Sequence, residues 1–255
     1  MASTDALIKP VREVGRFYAM TLDTMTQMVR PPFAGREFIN QAWFVARVSV
    51  APTVLMAIPW SAFIIFILNI LLVEIGAADV SGAAASLATV VYIGPLGTVL
   101  VLSGTSATAM CADLGARTIR EEIDALRVMG VNPVQALVVP RVLACGLNGL
   151  LLNAINTTAG LLASYFFSVY FQHVNPGAFA ASLTLLIGVP DVLIAFAKSI
   201  CFGLVAGFIA CYKGMTVGGG PQGVGNAVNE TVVYTFMALY VINTVLVAVG
   251  TKVTM

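Results

Sequence analysis

The sequence predicts an all-α integral membrane protein, and two observations support this fold class. Hydrophobic residues make up 59% of the 255 residues and charged residues only 10%, whereas soluble domains are about 45–50% apolar and about 25% charged. The apolar residues also collect in runs of about 20, the length that one helix needs to cross a bilayer. The composition argues against a soluble enzyme. The 13 basic and 12 acidic residues leave no charge excess that would attract nucleic acid.

Five apolar runs are long enough to be transmembrane helices. Four of them carry no charge, and the other is interrupted only by Lys198. We expect spans over residues 48–73, 80–112, 142–172, 192–212 and 231–251.

The basic residues predict the orientation of these spans, because cytoplasmic connections carry an excess of lysine and arginine. Residues 1–47 hold six basic residues and residues 113–141 hold four, whereas 74–80 and 173–191 hold none. We therefore expect a multi-pass protein of the plasma (inner) membrane. The N-terminus and the connections at 113–141 and 213–230 should be cytoplasmic, and the C-terminus outside.

The segment before the first span has its own helical pattern. Apolar residues recur there at helical spacing: Val11, Val14, Phe17, Tyr18, Leu22, Met25, Met28 and Val29. The pattern predicts a helix that lies in the cytoplasmic interface and stops at Pro31 and Pro32. The alternative is a soluble helix that packs on a partner.

The charged connection between the second and third spans predicts a short amphipathic helix. Ile119, Ile123, Leu126 and either Met129 or Gly130 fall on one stripe. Thr118 and Glu121 fit a capping box, and Gly130 followed by Asn132-Pro133 fits a helix stop. The spacing also allows ion pairs of Arg117 with Glu121 and of Arg120 with Asp124. A capped helix with one apolar face suits a groove in a cytoplasmic partner; the alternative is a solvated turn.

Two segments resemble a known family. EEIDALRVMGVNPVQALVVPRVLA, which begins at Glu121, resembles the signature of the MlaE/YrbE permeases, the membrane subunits of lipid-transporting ABC systems. GMTVGGGPQGVGNAVNETVV, which begins at Gly214, is similar to the family's Gly-rich segment before the last span. PPFAGREFINQAWFVARVSVAP, from Pro31, most resembles the actinobacterial branch that works with Mce proteins.

This resemblance implies one permease domain over residues 1–255, with an interfacial region at 1–40 and a transmembrane bundle at 41–255. It implies a heterodimer with a second, different permease subunit, a cytoplasmic ABC ATPase dimer, and Mce-domain proteins on the outer side. The helix between the second and third spans would be the coupling helix, which seats in the ATPase. By the match, Glu121, Glu122, Asp124, Arg127 and Gly130 are coupling positions; Arg117, Arg120, Leu126 and Met129 belong to the same segment.

Two features inside the predicted bilayer are candidates for further roles. Lys198 lies in the fourth span, where a charge is costly, and Asp191 lies two turns earlier on the same face. Lys198 would pair with Asp191, contact a lipid headgroup or meet a neighbouring subunit. Gly203-x-x-x-Gly207 would allow close helix packing.

The sequence predicts a permease rather than an enzyme. Four cysteines without a C-x-x-C and a single histidine give no metal-ligand spacing. The phosphate-binding G-x-x-x-x-G-K-[ST] is absent, so we expect no cofactor on this chain and ATP with Mg²⁺ in the partner ATPase. The resulting hypothesis is a subunit of an ATP-driven lipid importer, whose apolar cavity would accept fatty acid, sterol or phospholipid on similar terms. The alternatives are an intramembrane lipid-modifying enzyme without an ATPase and, less attractive, a passive membrane anchor.

Overall fold

The computed structural model describes residues 2–31 and 34–254, and this part of the chain is helical with short turns and no strand. Five helical stretches are long and apolar enough to cross a bilayer. We call them the first to fifth spans: Gly35–Glu74, Ala78–Ile119, Val134–Tyr170, Val189–Met215 and Gly220–Gly250. The prediction of an all-α protein with five membrane-crossing helices is therefore confirmed.

The described residues form ten α-helices in chain order. They are α1 (Ala2–Met28), α2 (Gly35–Glu74), α3 (Ser81–Leu87), α4 (Gly94–Val101), α5 (Ala107–Ile119), α6 (Glu122–Val128), α7 (Val139–Tyr170), α8 (Pro176–Ser182), α9 (Val189–Met215) and α10 (Gly220–Thr254). The helix predicted before the first span is present as α1, and it ends before Pro31. The first span begins at Gly35, several residues before the boundary that the sequence predicts for the bundle.

The fifth span also begins earlier than expected, at Gly220 rather than near Thr231. The turn before it is short because Gly219 and Gly220 take φ values of +46° and +76°, which a residue with a side chain rarely adopts. Pro221 then fits the first turn of α10, where its missing N–H would have no helical partner in any case. Most of the predicted connection at 213–230 is therefore helical.

The second span is segmented, whereas the third is nearly continuous. Two π-helical segments, Ala88–Ile93 and Leu102–Ser106, separate α3, α4 and α5. The first of them ends directly before Gly94 and Pro95, and proline removes a donor from the helical ladder. Asn156 of α7 donates its side-chain amide to the carbonyl oxygen of Gly94 at 3.0 Å. The third span thus supplies hydrogen bonds where the second span's own pattern is irregular.

The third span lies at the centre of the bundle. Its helix α7 makes its most extensive contacts with α2 and α9. The second and third spans are the most buried of the five, and the first and fifth are the least. One apolar cluster joins the middle of the bundle, and another joins one end, where α1 and α6 also pack.

Candidate coupling site

All six ion pairs found among the described residues lie at one end of the bundle, which we call the charged end. It consists of α1, the start of α2, α6, the start of α7 and the turn between α9 and α10. A group of buried apolar residues holds these elements together, and we call it the charged-end core: Leu114, Ile123, Leu137, Val138, Val142, Phe208 and Cys211.

The predicted helix of the charged connection is divided at Glu121. Helix α5 continues through Ile119, the chain turns at Arg120, and α6 covers only Glu122–Val128. Glu121 has a φ of 59°, the left-handed conformation, which interrupts the helix. The capping box is wrong because Thr118 lies inside α5, where its hydroxyl donates to the carbonyl oxygens of Leu114 and Gly214, both at 2.9 Å. Beyond α6, Gly130 has a φ of +77°, which fits the predicted stop.

The predicted apolar stripe divides between two directions. Ile123 is only 4% exposed, and Leu126 packs against the charged-end core, so these two residues hold α6 on the bundle. Val128 and Met129 are 89% and 68% exposed, and we call this pair the α6 tip. The α6 tip therefore exposes two apolar side chains to solvent at the end of this short helix.

The charges around the α6 tip pair differently from the prediction. Arg127 pairs with Asp124 at 2.7 Å, and Arg120 pairs with Glu122 at 2.9 Å. Arg117 pairs back to Asp113 at 3.4 Å. The predicted pairs of Arg117 with Glu121 and of Arg120 with Asp124 are wrong, because the turn at Glu121 breaks the continuous helix that this spacing needs.

Arg141 is a functional candidate that the sequence analysis treated only as a basic residue of a connection. Its side chain is fully buried, and Nη2 lies 2.6 Å from Asp113 Oδ2 and 3.4 Å from Glu37 Oε1. Nη1 donates to the carbonyl oxygen of Leu137 at 3.0 Å. The available signal was the position of this arginine directly before an uncharged apolar run, where a charge needs a partner.

Helix α1 packs on the charged end through one face and exposes another. Phe17, Met20 and Met28 contact the charged-end core, and the Tyr212 hydroxyl donates to the Glu13 carbonyl oxygen at 3.0 Å. A neighbouring face carries an exposed apolar stripe, which consists of Val14, Tyr18, Leu22, Met25 and Val29. The predicted single stripe is therefore two faces; the side chain of Val11 lies outside the described residues.

Lys198 is almost fully buried in α9, with an exposed fraction of 5%. It lines a small cavity of about 30 Å³ together with Asp191, Val91 of the second span and Val247 and Gly250 of the fifth. Within the described residues, no ion pair joins Lys198 to Asp191. The Asp191 carboxylate instead accepts from the backbone N–H of Gly188 at 2.9 Å, at the start of the helix. The structure therefore brings the two predicted residues to one cavity but leaves them unpaired with each other.

Gly203 and Gly207 lie where α9 crosses α7. A Cβ on Gly203 would collide with the backbone carbonyl of Cys145, and one on Gly207 would lie 3.0 Å from the Cα of Val142. On the facing helix, a Cβ on Gly149 would collide with the carbonyl oxygen of Ser199. These glycines let two helices of the same chain approach closely.

Comparison with known proteins identifies the relatives of this chain. The model of the family described as "Permease MlaE" matches residues 38–249. A probable ABC transporter permease protein of Synechocystis is 32% identical over 66% of this chain and 64% of its own length, and one of Porphyra purpurea is 32% identical over 63% and 61%. The match thus spans less than two thirds of these two relatives. A probable ABC transporter permease protein of Rickettsia bellii is 27% identical over 92% of this chain and 91% of its own length.

Proposed function

Because the chain belongs to the MlaE permease family, we propose that it is the membrane-spanning subunit of an ATP-driven lipid importer. In this proposal it performs no covalent chemistry, and a cytoplasmic ATPase dimer hydrolyses ATP with Mg²⁺. The observation that carries the proposal is the α6 tip, because two exposed aliphatic side chains on a short helix fit a groove in a partner.

The ATPase would dock on the α6 tip and on the charges that surround it. Val128 and Met129 would insert as the apolar anchor, while Glu122, Asp124 and Arg127 would form a polar rim, the usual arrangement at protein interfaces. Ile123 and Leu126 would hold α6 in position on the bundle without contacting the ATPase themselves. Gly130 would end the helix directly after the anchor.

The lipid and the second permease would occupy the apolar faces of the outer spans. On α2, Leu55 and Phe63 are 74% and 65% exposed, and on α10 Met237 and Val241 are 61% and 62% exposed. Such faces are stable against lipid tails or another apolar helix. We propose a heterodimer with a second permease and Mce-domain proteins at the end opposite the charged end, as the family resemblance implies.

The exposed stripe of α1 supports the proposed orientation. An amphipathic helix with one apolar face lies in the membrane interface, and α1 also packs on the charged end. This arrangement favours a cytoplasmic charged end, with α1 in the inner interface. If α1 were instead a soluble helix covered by a partner protein, the side chains of Val14, Tyr18 and Leu22 would stay protected from water after the membrane is removed.

Lys198 is the proposed contact for an anionic lipid group. A buried ammonium inside a span is stable only beside a compensating charge or polar group. Within the described residues Asp191 acts on Lys198 electrostatically but forms no ion pair with it, and its carboxylate accepts from the backbone N–H of Gly188. A carboxylate or phosphate from a lipid would compensate this charge. The cavity beside Lys198 is only about 30 Å³, so the apolar tail of such a lipid would lie outside it.

The test is a mild-detergent pull-down of the tagged chain from its own membrane, followed by mass spectrometry of proteins and lipids. We expect an ABC ATPase, a second five-span permease, Mce proteins and a retained lipid. A chain that carries lipid but recovers no ATPase would contradict the proposal and favour the enzyme alternative.

A matched pair of variants separates docking from folding. Val128→Asp with Met129→Asp should lower ATPase recovery roughly tenfold or more, as the loss of a central apolar anchor does, while the second permease is still recovered. The control is Ile75→Asp, which introduces one carboxylate rather than two, on a side chain that is 75% exposed at the other end. Leu126→Asp is a less selective test because Leu126 packs inside the chain. Equal ATPase recovery by the double variant and the control would overturn the docking site.

A further inference from the structure

The buried arginine of the charged end joins three parts of the molecule that the sequence separates. Arg141 lies at the start of α7, Asp113 lies in α5, and Glu37 lies in the first turn of α2. Residues 113 and 141 flank the connection that carries α6, so the ion pair at 2.6 Å closes this connection at its base. The contact with Glu37 at 3.4 Å adds the first span to the same network.

The network is neutral as a whole. Arg117 reaches Asp113 at 3.4 Å and Gln41 donates to Glu37 at 2.9 Å, so two guanidinium groups and two carboxylates share the site. Arg141 is fully buried, whereas about 30% of each carboxylate side chain is exposed. The arginine is therefore held by its partners, and the carboxylates still have access to water.

If this position were needed only for stability, apolar side chains could replace the ion network, because a buried ion pair often stabilises a protein no more than well-packed hydrophobic residues do. An ion network differs in having alternative pairings. Nη2 is shared unequally between two carboxylates, and within the described residues Nε has no hydrogen-bond partner. The guanidinium therefore has an unused donor, and Nη2 is within reach of both carboxylates, so its pairing can shift between Asp113 and Glu37.

The contacts also define a route for movement. Helix α6 packs mainly on α5, which carries Asp113. Ile123 and Leu126 also pack in the charged-end core with Leu137 and Val142, which precede and follow Arg141 along the chain. Arg141 then reaches Glu37 at the start of α2, whose remaining length packs along α7. A push on α6 thus arrives at the first span through Arg141.

We infer that Arg141 is a positioning residue that makes the α6 connection and the start of the first span move together, so that movement of a docked ATPase rearranges the first span. The inference rests on the proposed function. It concerns a residue that contacts neither the ATPase nor the lipid.

The test compares lipid movement with ATP hydrolysis in the whole complex, purified through this chain and reconstituted into vesicles. Fluorescent phospholipid, fatty acid and sterol are offered, and the ratio of lipid moved to ATP hydrolysed is measured with the probe that the wild-type complex moves. Arg141→Met should keep the ATPase bound and hydrolysis within about twofold, while the ratio falls roughly tenfold, which is within the range for residues of a coupling network. Arg141→Lys should restore part of the ratio, because it keeps the charge beside Asp113 but loses the planar fork.

A milder variant and a control keep the inference falsifiable. Glu37→Gln leaves Arg141 paired with Asp113, so it should fold even if Arg141→Met does not, and should lower the ratio by about threefold. Lys213→Met removes an ion pair of 2.6 Å between α9 and α10 at the same end and should leave the ratio unchanged. The inference would be overturned if Arg141→Met lost hydrolysis and transport in proportion. It would also be overturned if Arg141→Met did not assemble and Glu37→Gln left the ratio unchanged. A wild-type complex that moves none of the probes would instead overturn the proposed function.

Discussion

Helices α2 and α7 are tied to each other at both ends of the bundle, but with different chemistry. At the charged end the tie is ionic, through Glu37 and the buried Arg141. At the opposite end it is neutral: the Asn69 amide donates to Ser168 Oγ at 2.9 Å and to Gln172 Oε1 at 2.7 Å. Gln172 in turn donates to the carbonyl oxygen of Phe66 at 3.0 Å.

The difference separates two ways of holding the same pair of helices. Neutral amide bonds in a membrane protein are directional and modest in energy, so the opposite end is held in one arrangement. Each end leaves a buried polar atom without a hydrogen-bond partner among the described residues, Arg141 Nε at one and Asn69 Oδ1 at the other. The ionic contact between the two helices is longer, at 3.4 Å, and its carboxylate is in reach of water. The ionic end is therefore the end at which we expect the two helices to change position.

The largest effect should come from leaving Arg141 without its nearest carboxylate. Asp113→Asn keeps the shape of the side chain but leaves Glu37, at 3.4 Å, as the remaining carboxylate of the fully buried guanidinium. Breaking a buried pair on one side costs about 3–5 kcal/mol, and we expect the lower part of that range because Glu37 remains. The measurement is unfolding in detergent micelles.

Asp124→Asn is the matched control for this variant, because it removes a carboxylate from an exposed pair on α6. A loss of stability in Asp113→Asn no larger than in the control would mean that Arg141 is solvated. The contrast between a buried ionic end and a neutral end would then fail.

A smaller effect is expected at the opposite end. Asn69→Leu removes the amide that joins Ser168 and Gln172, and polar contacts between membrane helices contribute about 0.6–2 kcal/mol each. The variant should therefore unfold slightly more readily in micelles and leave the ratio of lipid moved to ATP hydrolysed as in the wild type. A fall in that ratio comparable with that of Arg141→Met would show that both ends transmit movement, and that the chemistry of the tie is not what matters.

The sequence was sufficient for the features that depend on local composition. The five spans follow from long apolar runs, four of them uncharged, because a bilayer needs about 20 apolar residues per helix. The tight turn at Gly130 follows from the residue type alone. The Arg141 network could not be predicted, since Glu37, Asp113 and Arg141 are brought together only by the packing of α2, α5 and α7. The division of the α6 stripe into Leu126 inside and Met129 outside depends on the same packing.

The smallest effect should come from the exposed pairs around α6. Arg127 and Asp124 have side chains that are 60% and 69% exposed, and exposed pairs contribute about 0.2–1 kcal/mol and are screened by salt. Arg127→Ala should therefore change the unfolding midpoint in micelles very little, and less still at high salt, whereas Asp113→Asn should remain destabilising at high salt. If Arg127→Ala destabilised the chain as much as Asp113→Asn, the pairs of α6 would belong to the fold rather than to a surface. The polar rim proposed around the α6 tip would then be part of the fold rather than free to bind another protein.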